Sequence, residues 1–329
     1  MKVTISDVAR LAGVSTATVS HTINNTRYVS DETKERVYQA IRELGYTPDA
    51  SARSFRTGKK QTVGFIVPDI SNKFFGTMIE AVENYLSEHG YHLIIANTKE
   101  DADREETSLR LLTAGLVDGI LVASTMEDFS RFESLIPAGF PVVLVDRTFD
   151  TKRFPSVSVS NFQPIYRSVC RLAGKGDKRI GMIGGLPRLS STKERIAAYQ
   201  EAVADCGLPQ DDLLIRYGNS MENSAQSCLD ELLEQKCDAL VVAQGLMASE
   251  TVIYLHKKGL KLGEDIDLVT FVDYDSDINY LYSKQMDCII QPVEKLGETA
   301  GELILRRIET PDAPAFEQVL TSTYQPCSM

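Results

Sequence analysis

A chain of 329 residues, 43% hydrophobic and 25% charged, has an ordinary globular composition and can bury the cores of two or three domains without metal or disulfide. Met1 to Arg10 carries Lys2, Asp7 and Arg10 and no apolar run, and no stretch of about 18 apolar residues follows, so neither a secretory leader nor a membrane span is expected. The net charge of −11 divides into +4 over residues 1–60 and −15 over the remainder, the footprint of a nucleic-acid-binding head on an acidic body.

The first 46 residues read as three short helices. Thr4 caps one through Ala12, Gly13-Val14 turns the chain, Ser15 caps a second to about Asn24, and Asp31 opens a third ending at Gly45. Pro48 breaks the chain, and 56–61 has linker composition. From Thr62 onward, short β-branched runs alternate with amphipathic stretches. The runs are Val63–Val67, Leu93–Ala96, Gly119–Val122, Val142–Val145, Ser156–Ser160, Ile180–Ile183, Leu240–Val242, Leu268–Val272 and Cys288–Ile290. Helical periods include Phe74–His89, Asp103–Ala114, Thr192–Cys206 and Val293–Ile308. This alternation predicts parallel sheets covered on both faces, and nine runs are too many for one core. The expected fold is therefore a helix-turn-helix head followed by two doubly wound α/β lobes, with a break near Ser160 and a late helix returning to the first lobe.

The segment from Thr4 to Asn24 carries the helix-turn-helix signal. Val8, Ala9, Val14, Val19 and Ile23 supply a small apolar interior, Ala9 and Ala12 permit close helix approach, and Gly13 gives the turn a permissive backbone. The outward face of the second helix carries Thr16, Ala17, Ser20 and His21, short enough for a major groove, while Ser15, Thr18 and Asn24 suit phosphates.

This segment closely resembles the LacI/GalR family of bacterial repressors. So do Tyr28-Val-Ser-Asp-Glu-Thr, Leu44-Gly-Tyr-Thr-Pro-Asp-Ala, Ala52-Arg-Ser-Phe55, Gly64 to Phe75 and Val117-Asp-Gly-Ile-Leu121, with weaker matches to Ala300. The resemblance implies domains at 1–47 (head), 48–61 (hinge helix and linker) and 62–329 (core). The first lobe spans about 62–160 and 292–322, the second about 161–291 and 323–329. It implies a hinge helix at Asp49–Phe55 that forms on operator, with Phe55 as a minor-groove wedge where members usually have leucine, and Arg53, Arg56 and Lys59 facing phosphates. His21 stands where many members have arginine, which changes the expected base contact.

The core resembles periplasmic sugar-binding proteins, as that family's does, which implies an effector cleft between the lobes at the carboxyl ends of the strands. Asp69 and Asn72 follow the first strand, Asp146 and Arg147 follow Val142–Val145, Asn161 sits at the crossover, and Asp273 follows Leu268–Val272. Phe74 and Phe75 start the next helix, and one of the two is expected to line the cleft. Arg195 aligns with an arginine that members use on effector. Plainer roles compete: Asp69, Asp146 and Asp273 as helix caps, the phenylalanines as core, Arg195 as a surface ion pair. The family's usual Asn-Asp is Gln244-Gly245 here, and a usual Asp is Ser160. The stretches Leu144 to Asp150 and Val269 to Asp273 are similar to the fructose-repressor branch, which implies a phosphorylated sugar held by Arg147 and Arg195.

The expected function is a cytoplasmic homodimeric transcriptional regulator, a repressor by resemblance. It binds near-palindromic double-stranded operator DNA under control of a sugar or sugar phosphate, with no catalysis, cofactor or metal. Only five residues follow Tyr324, too few for a tetramerising helix. The six cysteines form no C-x-x-C and suit a reducing compartment. The rivals are a sugar-modifying α/β enzyme with an accessory head, a transport-type sugar-binding protein and an architectural DNA protein. No G-x-G-x-x-G, P-loop, G-x-S-x-G or H-E-x-x-H motif supports an enzyme, and Gly90 breaks the helix that would align His89 with His92.

Overall fold

A computed structural model describes residues 3–24, 27–47, 58–149, 151–219, 224–271 and 284–327. The expected hinge residues Arg53, Phe55 and Arg56, and Asp273 of the cleft, lie outside the described residues. The chain forms two compact units, residues 1–60 and 61–329.

The first unit holds α1 (Ile5–Ala12), α2 (Thr16–Asn24) and α3 (Asp31–Leu44). Helix α1 starts on a capping box in which the Asp7 carboxylate accepts from the Thr4 N–H at 3.0 Å. It ends at Gly13, whose φ of 65° opens the turn into α2. Val8, Ala9, Ala12 and Val19 are buried with Val37 and Ala40 of α3, while Val14 and Ile23 pack half-buried at the margin. The helical hairpin thus needs its third helix to close the core.

The second unit contains two six-stranded sheets. In chain order the first lobe has β1 (Thr62–Val67), α4 (Lys73–Glu88), β2 (His92–Asn97), α5 (Ala102–Thr113), β3 (Gly119–Val122), α6 (Phe129–Ser134), β4 (Val142–Val145) and β5 (Ser156–Ser160). The second has α7 (Phe162–Lys175), β6 (Ile180–Gly184), α8 (Ser190–Asp205), β7 (Ile215–Tyr217), α9 (Ser224–Glu234), β8 (Ala239–Val242), α10 (Gly245–Lys257), β9 (Asp267–Phe271) and β10 (Asp287–Ile290). Then α11 (Val293–Glu309) and β11 (Glu317–Thr321) rejoin the first lobe, and β12 (Thr323–Gln325) ends in the second.

The first sheet has the order β11-β5-β4-β3-β1-β2 and is wholly parallel. The second runs β12-β10-β9-β8-β6-β7, with β12 antiparallel at one edge. Adjacent strand residues point to opposite faces, so each sheet feeds two cores. Phe65 and Val67 pack toward α4 and α11, and Ile66 toward α5 and α6. In the second lobe Leu240 and Val242 face α9 and α10, and Val241 faces α7 and α8. Both sheets are doubly wound, as the alternating pattern predicts.

The chain passes between the lobes three times, at β5–α7, β10–α11 and β11–β12. Asn161 and Ser322 belong to two of these passages, and the Ser322 hydroxyl donates to Asn161 Oδ1 at 2.6 Å.

Helices α4 and α11 meet at glycine. A Cβ on Gly297 would lie 2.7 Å from both the Ala81 Cβ and the Met78 carbonyl oxygen, and one on Gly301 would lie 2.8 Å from the Tyr85 ring. Alanine at position 297 gains roughly 1 kcal/mol of helix propensity and meets backbone that cannot yield, an overpacking cost of about 1–3 kcal/mol. We expect Gly297→Ala to lower the urea midpoint of the full chain. A raised midpoint would show that propensity dominates and that the helices have room to part.

Candidate nucleic-acid interface and effector cleft

Thr16 and Ala17 are exposed on α2, Ser20 and His21 are half-buried beside them, and together with Ile5 of α1 they line a shallow hollow of about 350 Å³. The four residues expected on base edges therefore share one face. The three expected on phosphates also serve the helix itself. Ser15 Oγ accepts from the Thr18 N–H at 3.0 Å and lies 2.9 Å from the Thr18 hydroxyl, so Ser15 is the N-cap of α2. Asn24 Nδ2 donates to the Ser20 carbonyl at 2.8 Å.

A cleft of about 410 Å³ opens between the two lobes of the second unit. It lies where the carboxyl ends of both parallel sheets meet, the position that open α/β sheets leave free for ligands. Asp69, Asn72, Phe74, Phe75, Asp146 and Arg147 line it from the first lobe, and Arg195 from the second. Both phenylalanines reach it, where one was expected. They meet edge to face with centroids 5.2 Å apart, and Phe75 is the more deeply buried. Two of the polar residues combine local roles with their place in the wall. Asn72 caps α4, accepting from the Phe74 N–H at 3.1 Å, and Asp69 accepts from the Ser71 N–H at 3.0 Å.

Asn161 does not line the cleft, against expectation. It is 1% exposed, its Nδ2 donates to the Val159 carbonyl at 3.1 Å, and its Oδ1 is taken by Ser322. The third passage of the chain covers it, so it ties the hinge together. Its neighbour Ser160 donates to Glu194 of α8 at 2.7 Å.

Two arginines, one per lobe, stack on phenylalanines. The Arg147 guanidinium carbon lies 5.8 Å from the Phe75 ring centre, and that of Arg195 lies 4.3 Å from the Phe271 ring centre. Arg147 is a fork spent on Glu100, with Nη1 to Oε2 at 2.8 Å and Nη2 to Oε1 at 2.5 Å. Arg195 Nη1 donates to the Ala243 carbonyl at 2.6 Å, while its Nε is buried and has no partner among the described residues. Gln291 Nε2, also on the second-lobe wall, is buried and unpartnered among the described residues as well.

Asp146 sits between the two arginines. Its φ of 64° is left-handed, a conformation that costs a non-glycine residue on the order of 1–3 kcal/mol and persists where the surroundings fix it. Burial pushes its carboxyl above the ordinary value, and Arg147 and Arg195 oppose that rise. Burial pulls the Arg195 guanidinium below its ordinary value, against the nearby Asp146 and Glu194 charges. Across the mouth, Arg188 of the second lobe reaches Glu100 of the first at 3.6 Å.

Ser71, Lys99, Glu100, Leu189, Ser191, Leu246, Phe271 and Gln291, none assigned to the cleft from sequence, complete the wall with Gln244 and Gly245, which the sequence marked only as a departure from the family's usual Asn-Asp. Lys99 and Glu100 follow β2, Gln244 follows β8, Phe271 ends β9 and Gln291 follows β10. The strand-end rule, applied to every strand, finds all five.

Residues 4–49 match the LacI family of bacterial regulatory proteins. Residues 60–328 match the periplasmic binding proteins and sugar binding domain of the LacI family. The HTH-type transcriptional repressor PurR of Aliivibrio salmonicida is 33% identical over 310 residues, covering 93% of this chain and 92% of that protein. The Lac repressor dimer bound to operator and the anti-inducer ONPF aligns with a TM-score of 0.85 at 22% identity, covering 99% of this chain and 98% of that one, a likeness of fold. The transcriptional regulator CelR in complex with cellobiose aligns with a TM-score of 0.73 at 27% identity, covering 98% of each chain.

Proposed function

The chain belongs to the LacI family of bacterial regulatory proteins, and from that premise we propose that it is a homodimeric repressor whose grip on near-palindromic operator DNA is set by a small hydroxylated effector held between its lobes. DNA-binding transcriptional regulation, not catalysis, is what this family does, which removes the enzyme rival. The head reads bases with the α2 face of Thr16, Ala17, Ser20 and His21, and Ser15, Thr18 and Asn24 meet phosphates with what their helix bonds leave available. Arg53, Phe55 and Arg56 complete the DNA contact. The protein works in the cytoplasm, and among the described residues no helix is long and apolar enough to cross a membrane.

One observation carries the effector reading: the cleft is walled by both lobes and its polar groups are complementary across the gap. The first lobe offers the Asp69 and Asp146 carboxylates, and the second offers the unspent donors of Arg195 and Gln291. A ligand with hydroxyls donates to one wall and accepts from the other, so it is bound best at one lobe angle. Its leverage on DNA equals its differential affinity for the two arrangements, roughly 1–3 kcal/mol. CelR, a relative of similar fold, is solved as a complex with cellobiose.

The geometry favours a neutral sugar over the phosphosugar implied by the fructose-repressor likeness. Arg147 is neutralised by Glu100, so it has little charge left for a phosphate, and the Asp69 and Asp146 carboxylates of the same wall repel an anion. Calorimetry with sucrose and fructose against fructose 1-phosphate, glucose 6-phosphate and a free nucleobase tests this. Heat from a neutral sugar is expected. Tighter binding of a phosphosugar overturns the neutral preference, and binding of the nucleobase alone overturns the sugar reading.

Dimerisation is proposed through the first lobe. Strand β2 is a sheet edge whose consecutive Ile94 and Ile95 are 38% and 45% exposed, an apolar edge that soluble proteins ordinarily cover. Operator affinity of such a dimer, measured on duplexes selected from a randomised pool, is expected to fall with a log–log salt slope steeper than about −4, since several phosphates per subunit release counterions. A chain that selects no duplex with or without sugars refutes the regulator.

A further inference from the structure

Cys170 lies within α7 and Cys206 caps the end of α8, 36 residues apart in the chain. Their sulfurs are 3.3 Å apart, and both residues are half-buried, open to a small reagent. Cys228, Cys237 and Cys288, by contrast, are buried in the second-lobe core. We propose that Cys170 and Cys206 are a reversible dithiol–disulfide site, closed by low-molecular-mass disulfides and independent of the effector cleft. Sequence spacing hides the site, because α7 and α8 bring together thiols that no C-x-x-C motif announces.

The chemistry needs only the two thiols and the oxidant. One protein thiolate attacks the small disulfide, forming a mixed disulfide and releasing one small thiolate. The second protein thiolate then attacks the protein sulfur of the mixed disulfide, forming the Cys170–Cys206 bond and releasing the other small thiolate. Two protein thiols are oxidised, one small disulfide is reduced to two thiols, and the two protons lost by the protein end on them. From sulfur contact to a bond, the pair needs roughly 1 Å of approach. Burial and the hydrogen bond with Cys170 push the Cys206 thiol up to about 11, and the neighbouring Asp205 charge acts in the same direction. Its thiolate is scarce near neutrality, so the site answers to sustained oxidation, unlike a fast redox catalyst. Once closed, the bond staples α7, which follows directly on the hinge residue Asn161, to α8, which carries Arg195.

Full-length protein is incubated with glutathione disulfide, alkylated and digested for mass spectrometry. The expected product is a Cys170–Cys206 linked peptide, two fewer alkylated thiols, a mass lower by about 2 Da, and full reversal by dithiothreitol. Its thermal midpoint rises, because the cross-link restrains the unfolded chain. Cys206→Ser is expected to stop at a mixed disulfide on Cys170, Cys170→Ser to lose the linked peptide, and Cys228→Ser to retain it. All six thiols still alkylating after oxidation, a mixed disulfide on the unsubstituted protein that never resolves, or a linked peptide joining Cys288 to Cys327 overturns the proposal.

Discussion

Replacing Ala17 with glutamate is expected to lower operator affinity at least about 100-fold, near 2.7 kcal/mol, while leaving the head folded and the effector cleft untouched. Ala17 is exposed in the first turn of α2 and lines the hollow with Thr16, Ser20 and His21. No core residue touches that change, since the head is held by Val8, Ala9, Ala12, Val19, Val37 and Ala40. Glutamate is a good helix former, and its charge suits a helix N-terminus, so α2 itself loses nothing. In a DNA groove the same carboxylate meets phosphates on both sides and a surface rich in acceptors. Fluorescence anisotropy on the selected operator, with circular dichroism of the same sample, separates the two effects. Affinity within threefold of the original would mean that another face of the head reads the bases.

Arg195→Met is expected to weaken effector binding by two orders of magnitude and to make operator binding indifferent to effector. Methionine keeps much of the volume over Phe271 but removes the guanidinium, and truncating a buried, hydrogen-bonded charge costs roughly 2–5 kcal/mol. The substitution also has a pH signature. Burial holds the Asp146 carboxyl above its ordinary value, so the folded chain binds that proton more tightly than the unfolded chain. Stability from this group is fullest below the unfolded value and is lost as pH rises through the folded one. Arg195 is one of the two cations opposing the rise. Without it the folded value moves higher, and the decline extends to higher pH. Titration of the thermal midpoint for both proteins, and calorimetry at one pH, test the two parts. Unchanged effector affinity in Arg195→Met would remove this residue from the site.

What the sequence conveys follows from how local each feature is. The head was readable because its cap, glycine turn and small residues all lie within Thr4 to Asn24. The buried central strands were readable as β-branched runs, since both of their faces are apolar. The strands that escaped notice, β7, β11 and β12, all lie at sheet edges and are polar or alternating, as in Glu317-Gln-Val-Leu-Thr321. An edge strand is recognised by its neighbour, and β11 finds β5 far back in the chain. The cleft divides in the same way. Asp146 and Arg195 follow from strand ends and resemblance, but the Arg147–Glu100 fork joins residues 47 apart, and it changes what Arg147 can hold. Asn161 has the right sequence position for the cleft and the wrong surroundings, because the late passage through Ser322 closes over it.

That hinge has a mechanical corollary. Three strands of backbone running side by side, two of them pinned by Asn161 and Ser322, resist sliding and leave a single swing, like a door on several pins. We expect the proposed effector to act on that swing alone, as a doorstop between the lobes, so that sugars of different width relieve operator binding to different extents at saturation, each by its own differential affinity for the two arrangements.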